Sequence, residues 1–309
     1  MMMTPSRTAA YRRNIRGFTL IELMVSVTIG LILLLFLSSL YFNSRASSRL
    51  NDDNARIQED GRYALSLIGR NLMQAGFGHM QTGNTTDFPP QSPTELAKLK
   101  GLTGCSYGFA TPLAKLPTCA AVPVPAQSSI GGPSAFTVAY TSEPYSDATN
   151  ISGAGTDCSG TQAFNATSTQ GGVVINSFYL DTATKTLYCK GYAGAGTPQP
   201  ILSNVDNMLV TYGIDTGNRY APTKSTTDAA EAGAADAING NNKVGWDRVV
   251  TVTVCLEMHS TNNVVTGSTG QSYYKCNATT PTVASDRLLH TTMTRVFTLR
   301  NNATASLSN

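Results

Sequence analysis

The longest regular pattern in the chain is an apolar run near its N-terminus. Residues 18–42 contain one charged side chain, Glu22, and no proline. A helix of this length extends about 37 Å at roughly 1.5 Å per residue, whereas the hydrocarbon core of a bilayer is about 30 Å thick. The run therefore predicts a helix that is long enough to span a membrane.

The pattern changes after residue 42, although no proline interrupts residues 43–75. Apolar or small side chains recur every three to four positions, and charged side chains of both signs occupy most positions between them. This spacing predicts an amphipathic helix that Gly76 and Gly78 end. Its apolar stripe consists of Ile57, Gly61, Ala64, Leu65, Ile68, Leu72 and Ala75.

Beyond residue 76 the pattern shortens to segments of strand length. Residues 249–258 alternate between apolar and mainly polar side chains, which predicts a strand with one packed face. Residues 173–180 and 186–189 flank a short turn and predict a hairpin. Further strands are predicted at residues 135–140, 207–214 and 292–299. We expect an antiparallel sheet laid on the amphipathic helix, and hence a single α+β globular domain over residues 76–309.

The charge distribution argues against a nucleic-acid partner. Four arginines, Arg7, Arg12, Arg13 and Arg16, more than account for the net charge of +3, so the rest of the chain is close to neutral. After Gly78 the sequence has no run of Lys or Arg, which a groove for nucleic acid needs.

All six cysteines follow the apolar run, which suits an oxidising compartment. The simplest pairing joins sequence neighbours, although other connectivities and free thiols stay open. The neighbouring pairs are Cys105 with Cys119, Cys158 with Cys189, and Cys255 with Cys276.

No pattern in the sequence points to catalysis. The three histidines, His79, His259 and His290, lack metal-ligand spacing, and the sequence has no nucleophile elbow or phosphate-binding motif. The polar loop at residues 215–242 lacks the calcium-loop pattern. Trp246 is predicted to pack in the core rather than to hold a ligand. We expect no enzyme, no cofactor and no metal.

The N-terminal junction carries a specific resemblance. Gly17-Phe18-Thr19-Leu20-Ile21-Glu22, with basic residues before it and the apolar run after it, resembles the class III signal of type IV prepilins. The resemblance implies that a prepilin peptidase cuts between Gly17 and Phe18 and that Phe18 becomes N-methylated. It also implies that Glu22 of one subunit meets the N-terminal amine of a neighbour. A carboxylate that snorkels to the membrane interface is the other reading of Glu22.

A second resemblance covers the globular part. Residues 54–65, 205–215, 246–250 and 295–302 resemble, in the same order, segments of PilW-type minor pilins. This implies a type IV pilin-like fold and a subunit that primes pilus assembly at or near the tip. The implied partners are other minor pilins, the major pilin and a tip adhesin.

Together these features predict four parts: a cleaved leader at 1–17, a membrane or filament-core helix at 18–42, its amphipathic continuation at 43–75, and a periplasmic domain at 76–309. Arginines before the span favour a cytoplasmic N-terminus. The expected location is the inner membrane, single-pass, and then the extracellular pilus.

Three alternatives stay open at this stage. A type II secretion pseudopilin shares the signal and the helix. A tip-exposed adhesive subunit would use the loops at residues 84–172 and 215–242. A tethered periplasmic enzyme or receptor would use the helix only as an anchor.

Overall fold

The computed structural model describes residues 17, 19–78, 101–121, 133–142, 155–161, 172–192, 197–216, 222–233, 245–265 and 270–302. The chain divides into two compact units, Met1–Arg49 and Leu50–Asn309. One helix and a set of antiparallel strands dominate the described ranges. The predicted α+β class is confirmed.

The long helix α1 extends over Leu20–Gln74, close to the predicted limits of 18–75. Its end follows from local geometry at Gly76, whose φ of +71° favours glycine. The Gly76 amide donates to the Ala139 carbonyl at 2.9 Å, and the Asn301 side-chain amide donates to the Ala75 carbonyl at 2.8 Å. The last turn is therefore fixed by neighbouring segments as well as by its own sequence.

The strands form three separate sheets rather than the one sheet that the sequence predicted. The five-stranded sheet has the order β1-β2-β3-β4-β5 and the four-stranded sheet the order β11-β8-β6-β7, while β9 and β10 pair with each other. The strands are β1 Leu102–Cys105, β2 Ala135–Thr141, β3 Val173–Asp181, β4 Thr186–Gly191, β5 Gln199–Leu202, β6 Val205–Ile214, β7 Lys224–Thr226, β8 Val249–Asn263, β9 Ser272–Tyr273, β10 Thr282–Val283 and β11 Leu288–Thr298. The chain passes from the first large sheet to the second between β5 and β6, where Asn204 has a φ of +59°.

The predicted strand pairings are observed. β3 pairs with β4 as the expected hairpin, and β8 pairs with β11 in antiparallel register. Val250, Val252, Val254 and Leu256 of β8 are all buried, as the alternation indicated. The strands thus confirm the sequence patterns, whereas their division between two large sheets was not predicted.

In the second unit the amphipathic part of α1 packs against both large sheets. Gly61 lies beneath the Met258 and Met293 side chains, and Gly69 lies beneath the Phe297 ring. On the five-stranded sheet, the Asn176 side chain donates to Asn71 Oδ1 at 2.7 Å. The buried residues of α1 are Ile57, Gly61, Ala64, Leu65, Ile68, Gly69 and Leu72, which is the predicted stripe with Gly69 added and Ala75 just beyond the helix end.

Candidate functional site

The start of α1 is organised by Thr19. The Thr19 hydroxyl accepts a hydrogen bond from the Glu22 amide at 3.3 Å, and the Thr19 carbonyl accepts one from the Leu23 amide at 3.1 Å. Threonine is a favoured N-cap because its oxygen satisfies a free amide of the first turn. Glu22 consequently lies in that first turn, where the helix dipole favours a negative charge.

The first half of α1 presents an apolar surface on all sides. The large apolar side chains between Leu20 and Phe42 are each 49–78% exposed in the isolated chain. Within the described residues this helix is the one candidate for a membrane span. An apolar surface that surrounds a helix needs lipid or other apolar helices around it.

Gly17 has no structural reason within the chain to be glycine. A Cβ built on Gly17 has no heavy atom of the described residues within 4 Å, and the φ of Gly17 lies outside the range in which glycine is favoured. Neither packing nor backbone conformation therefore requires glycine at this position. Phe18, which is predicted to become the mature N-terminus, lies outside the described residues, as do His79 and the arginines of the leader.

The six cysteines form three disulfides, and each joins sequence neighbours. Cys105–Cys119 closes a loop beside β1, Cys158–Cys189 ties a loop to β4, and Cys255–Cys276 covers the outer face of β8. The last of these explains why β8 is buried on both faces near Cys255, although its sequence alternates.

Two of the histidines, which the sequence showed as isolated, converge on one carboxylate. Asp206 Oδ2 lies 2.9 Å from His259 Nδ1 and 3.5 Å from His290 Nδ1. Asp206 Oδ1 accepts a hydrogen bond from Lys185 Nζ at 2.8 Å. Burial alone would raise the pKa of Asp206, but the hydrogen bonds from His259 and Lys185 outweigh it and lower the pKa to about 2.

Sequence reasoning missed this cluster because its members are far apart along the chain. The antiparallel pairing of β6 with β8 places Val205 opposite Met258, which brings Asp206 and His259 together. Only the strand register reveals this proximity, and no local motif does. Among the residues with described positions, no group of three or more His, Cys, Asp or Glu side chains has the geometry to hold a metal ion.

Trp246 packs against the core and also faces a cleft, so its position combines core packing with access to a ligand. Its ring packs edge-on against Tyr212, with ring centroids 5.1 Å apart, and it also lines an open cleft of about 1010 Å³. The cleft lies between the loop closed by Cys105–Cys119 and the short helix α2, Ala229–Ala232. Its walls come from chain segments that are distant in sequence, which explains why no sequence pattern indicated it.

An apolar helix with one acid in its first turn, continued by a face that packs on antiparallel sheets, defines an α+β protein whose N-terminal helix can span a membrane. Two family models match this chain: the prokaryotic N-terminal methylation motif over residues 12–38, and Type IV Pilus-assembly protein W (PilW) over residues 174–301. The chain is thus a type IV pilin-like protein with a prepilin methylation motif and a PilW domain, which confirms both resemblances.

A similar chain is also found among solved structures. A type IV-like pilin from Thermus thermophilus is similar to this chain with a TM-score of 0.40 and 12% identity, over 81% of this chain and 98% of that chain. No curated protein sequence matches the chain. The apolar helix and the methylation motif together make the chain a single-pass inner-membrane protein whose C-terminal part is exposed in a pilus.

Proposed function

We propose that this protein is a minor pilin that is cut between Gly17 and Phe18, methylated at Phe18 and incorporated into a type IV pilus. It acts as a structural subunit and catalyses no reaction. Its partners are the prepilin peptidase, the major pilin and other minor pilins. Its place at or near the tip, where it primes assembly and contacts an adhesin, follows from the PilW resemblance.

The observation that carries this proposal is the position of Glu22. It is the one charged side chain of an apolar helix surface, and it lies in the first turn, four residues after Phe18. A charge at the centre of a membrane helix costs about 2.5–3.5 kcal/mol on insertion scales. In a chain that used this helix only as a tether, an acid in the first turn could reach the membrane interface, but nothing would require an acid at this position.

Cleavage after Gly17 supplies the missing cation. The cut creates a free amine at Phe18, and a neighbouring subunit can present this amine to Glu22 when the apolar helices pack together. An unpaired buried charge is strongly destabilising, so pairing selects one axial register among many that apolar contacts alone would allow. Glu22 thus specifies how the subunit docks, while the apolar surface supplies most of the contact.

The match to the PilW family model supports a pilus rather than a type II secretion pseudopilus. It extends over residues 174–301, which contain β6, β8 and β11 of the four-stranded sheet. The N-terminal motif is common to both systems and does not separate them.

The substitution Glu22→Gln tests the proposal, because it keeps the shape of the side chain and removes the charge. We expect the variant to be cleaved normally, and its recovery in sheared pili to fall at least tenfold. Glu59→Gln is the matched control, since Glu59 is an exposed acid of the same helix beyond the apolar half. Normal recovery of Glu22→Gln in pili would overturn the proposed role of Glu22.

A further inference from the structure

An open cleft lies in the second unit, remote in sequence from the apolar helix. It has a volume of about 1010 Å³, at the upper end of the range for small-molecule sites of roughly 300–1,000 Å³. Three aromatic side chains line it, Tyr107, Phe109 and Trp246, together with the polar side chains of Ser106 and Asp228. Aromatic side chains with a few polar groups are the usual lining of a site for a small molecule.

The loop between Cys105 and Cys119 forms one wall of the cleft and is held in place by a disulfide and by hydrogen bonds. Cys105–Cys119 closes it, the Ala110 amide donates to the Thr118 carbonyl at 2.8 Å, and the Ala120 amide donates to the Gly108 carbonyl at 3.0 Å. The ammonium group of Lys190, a residue that is 4% exposed, donates to the Ala114 carbonyl at 3.0 Å. Burial lowers the pKa of Lys190.

The opposite wall is tied to the first by hydrogen bonds. The Ser106 hydroxyl accepts from the Ala229 amide at 2.8 Å and donates to Asp228 Oδ1 at 3.3 Å. The same carboxylate oxygen caps α2 by accepting from the Ala230 amide at 2.9 Å. Both walls are therefore fixed before any ligand arrives, which reduces the entropy lost on binding.

The chemistry of the lining narrows the class of ligand. Among the described residues that line the cleft, the charged side chains are one cation, Lys115, and one anion, Asp228, so these residues together give no net charge to attract an ionic ligand. Aromatic faces pack against apolar C–H surfaces, while hydroxyl and carboxylate oxygens accept hydrogen bonds from ligand hydroxyls. A saccharide presents both kinds of surface on each ring.

The buried hydroxyl of Tyr212 lies beside the cleft. Tyr212 is 1% exposed, and its hydroxyl lies against Gly104, a residue of the cleft wall. Within the described structure this hydroxyl has no hydrogen-bond partner, and burial raises its pKa. Buried polar groups without partners are uncommon in native structures, so this hydroxyl next to the cleft wall calls for an explanation.

We propose that this cleft binds a neutral oligosaccharide, with Tyr107 and Trp246 as stacking surfaces and Asp228 as a hydrogen-bond acceptor. An extended peptide fits less well. A peptide would bind through backbone hydrogen bonds, but the amides of Ala110 and Ala120 in the loop wall already donate to carbonyls of the same loop. The proposal is independent of cleavage and assembly, since every residue it names lies in the second unit.

The single tryptophan of the chain provides a direct readout. The detergent-solubilised full chain is titrated with triacetylchitotriose, cellotriose and maltotriose while Trp246 emission is followed, and calorimetry repeats each titration. We expect at least one trisaccharide to give a saturable change in emission at millimolar concentration or below. Tyr107→Ala should weaken this binding at least tenfold.

Tyr274→Ala is the matched control, because Tyr274 is 57% exposed and lies outside the cleft. Asp228→Asn is the second test variant and keeps the fold, since asparagine caps helices as well as aspartate does; we expect threefold to tenfold weaker binding. The proposal is overturned if none of the three sugars binds, or if Tyr107→Ala and Asp228→Asn bind as tightly as the Tyr274→Ala control. Preference for the acidic sugar sialyllactose or for an unstructured peptide over all three neutral sugars would also overturn it.

Discussion

Gly17 and Glu22, at the start of the chain, are residue choices that the local fold does not require. Gly17 meets no neighbour among the described residues, and Glu22 places a charge on an apolar helix. Packing within the described chain does not require glycine at position 17 or an acid at position 22. Both are explained if a peptidase recognises Gly17 and if the N-terminal amine of a neighbouring subunit pairs with the Glu22 carboxylate. The sequence alone was sufficient to propose this, because the signal is local and contiguous.

Gly17→Val should block processing without disturbing the fold. Valine has open space at this position, so the loss of cleavage would arise from the peptidase and not from misfolding. We expect the membrane fraction to accumulate the unprocessed chain of 309 residues. Gly30→Val is the matched control, since a Cβ at Gly30 also meets nothing within 4 Å, and this variant should be cut normally. Efficient cleavage of Gly17→Val would contradict the assignment.

Asp206 should make the second unit sensitive to acid. Its folded-state pKa of about 2 lies below the ordinary value of 3.8, so its contribution is present above pH 4 and is lost as the pH falls towards 2. We expect Asp206→Asn to cost about 1–2 kcal/mol of unfolding free energy at pH 7, allowing for partial solvent screening. The cost should disappear near pH 2.

Urea unfolding of the solubilised chain between pH 2 and 7, followed by Trp246 fluorescence, measures this difference. Asp60→Asn is the control, because Asp60 is an exposed acid on α1. If the stability of Asp206→Asn ran parallel to that of wild type over the whole pH range, the hydrogen bonds to His259 and Lys185 would contribute nothing.

At the level of secondary-structure elements, the sequence predicted those with a strong periodicity. The helix and the strands β2, β3, β4, β6, β8 and β11 were recognised from their apolar spacing. The short strands β1, β5, β7, β9 and β10 were missed, because two to four residues carry no measurable alternation. The separation into two large sheets was also missed, since periodicity identifies strands and not their partners.

The contact between α1 and the four-stranded sheet depends on small residues. Gly69→Ala would normally stabilise a helix by roughly 0.5–1 kcal/mol, but the added Cβ would overlap the Phe297 ring. Since overpacking typically costs about 1–3 kcal/mol, we expect a net loss of stability in urea unfolding. Gly30→Ala, in open space, should leave the unfolding midpoint of the second unit unchanged. A Gly69→Ala variant as stable as wild type would show that Phe297 moves aside without cost.

At the scale of the whole molecule, the chain consists of two units, Met1–Arg49 and Leu50–Asn309, which differ in the surface that they expose. The N-terminal unit exposes an apolar helix that needs neighbours, and the second unit buries its own core and carries three disulfides. The first was predictable because its signals are contiguous in sequence. The cleft and the Asp206 cluster were not, because each depends on segments that only the tertiary fold brings together.

The most direct test of the central claim is mass spectrometry of the protein recovered from sheared pili of cells that express it. The account predicts a chain that begins at Phe18, carries a methyl group on its terminal amine and is less abundant than the major pilin. A chain that begins at Met1, or a protein that stays in the membrane and never appears in the pilus fraction, would contradict it.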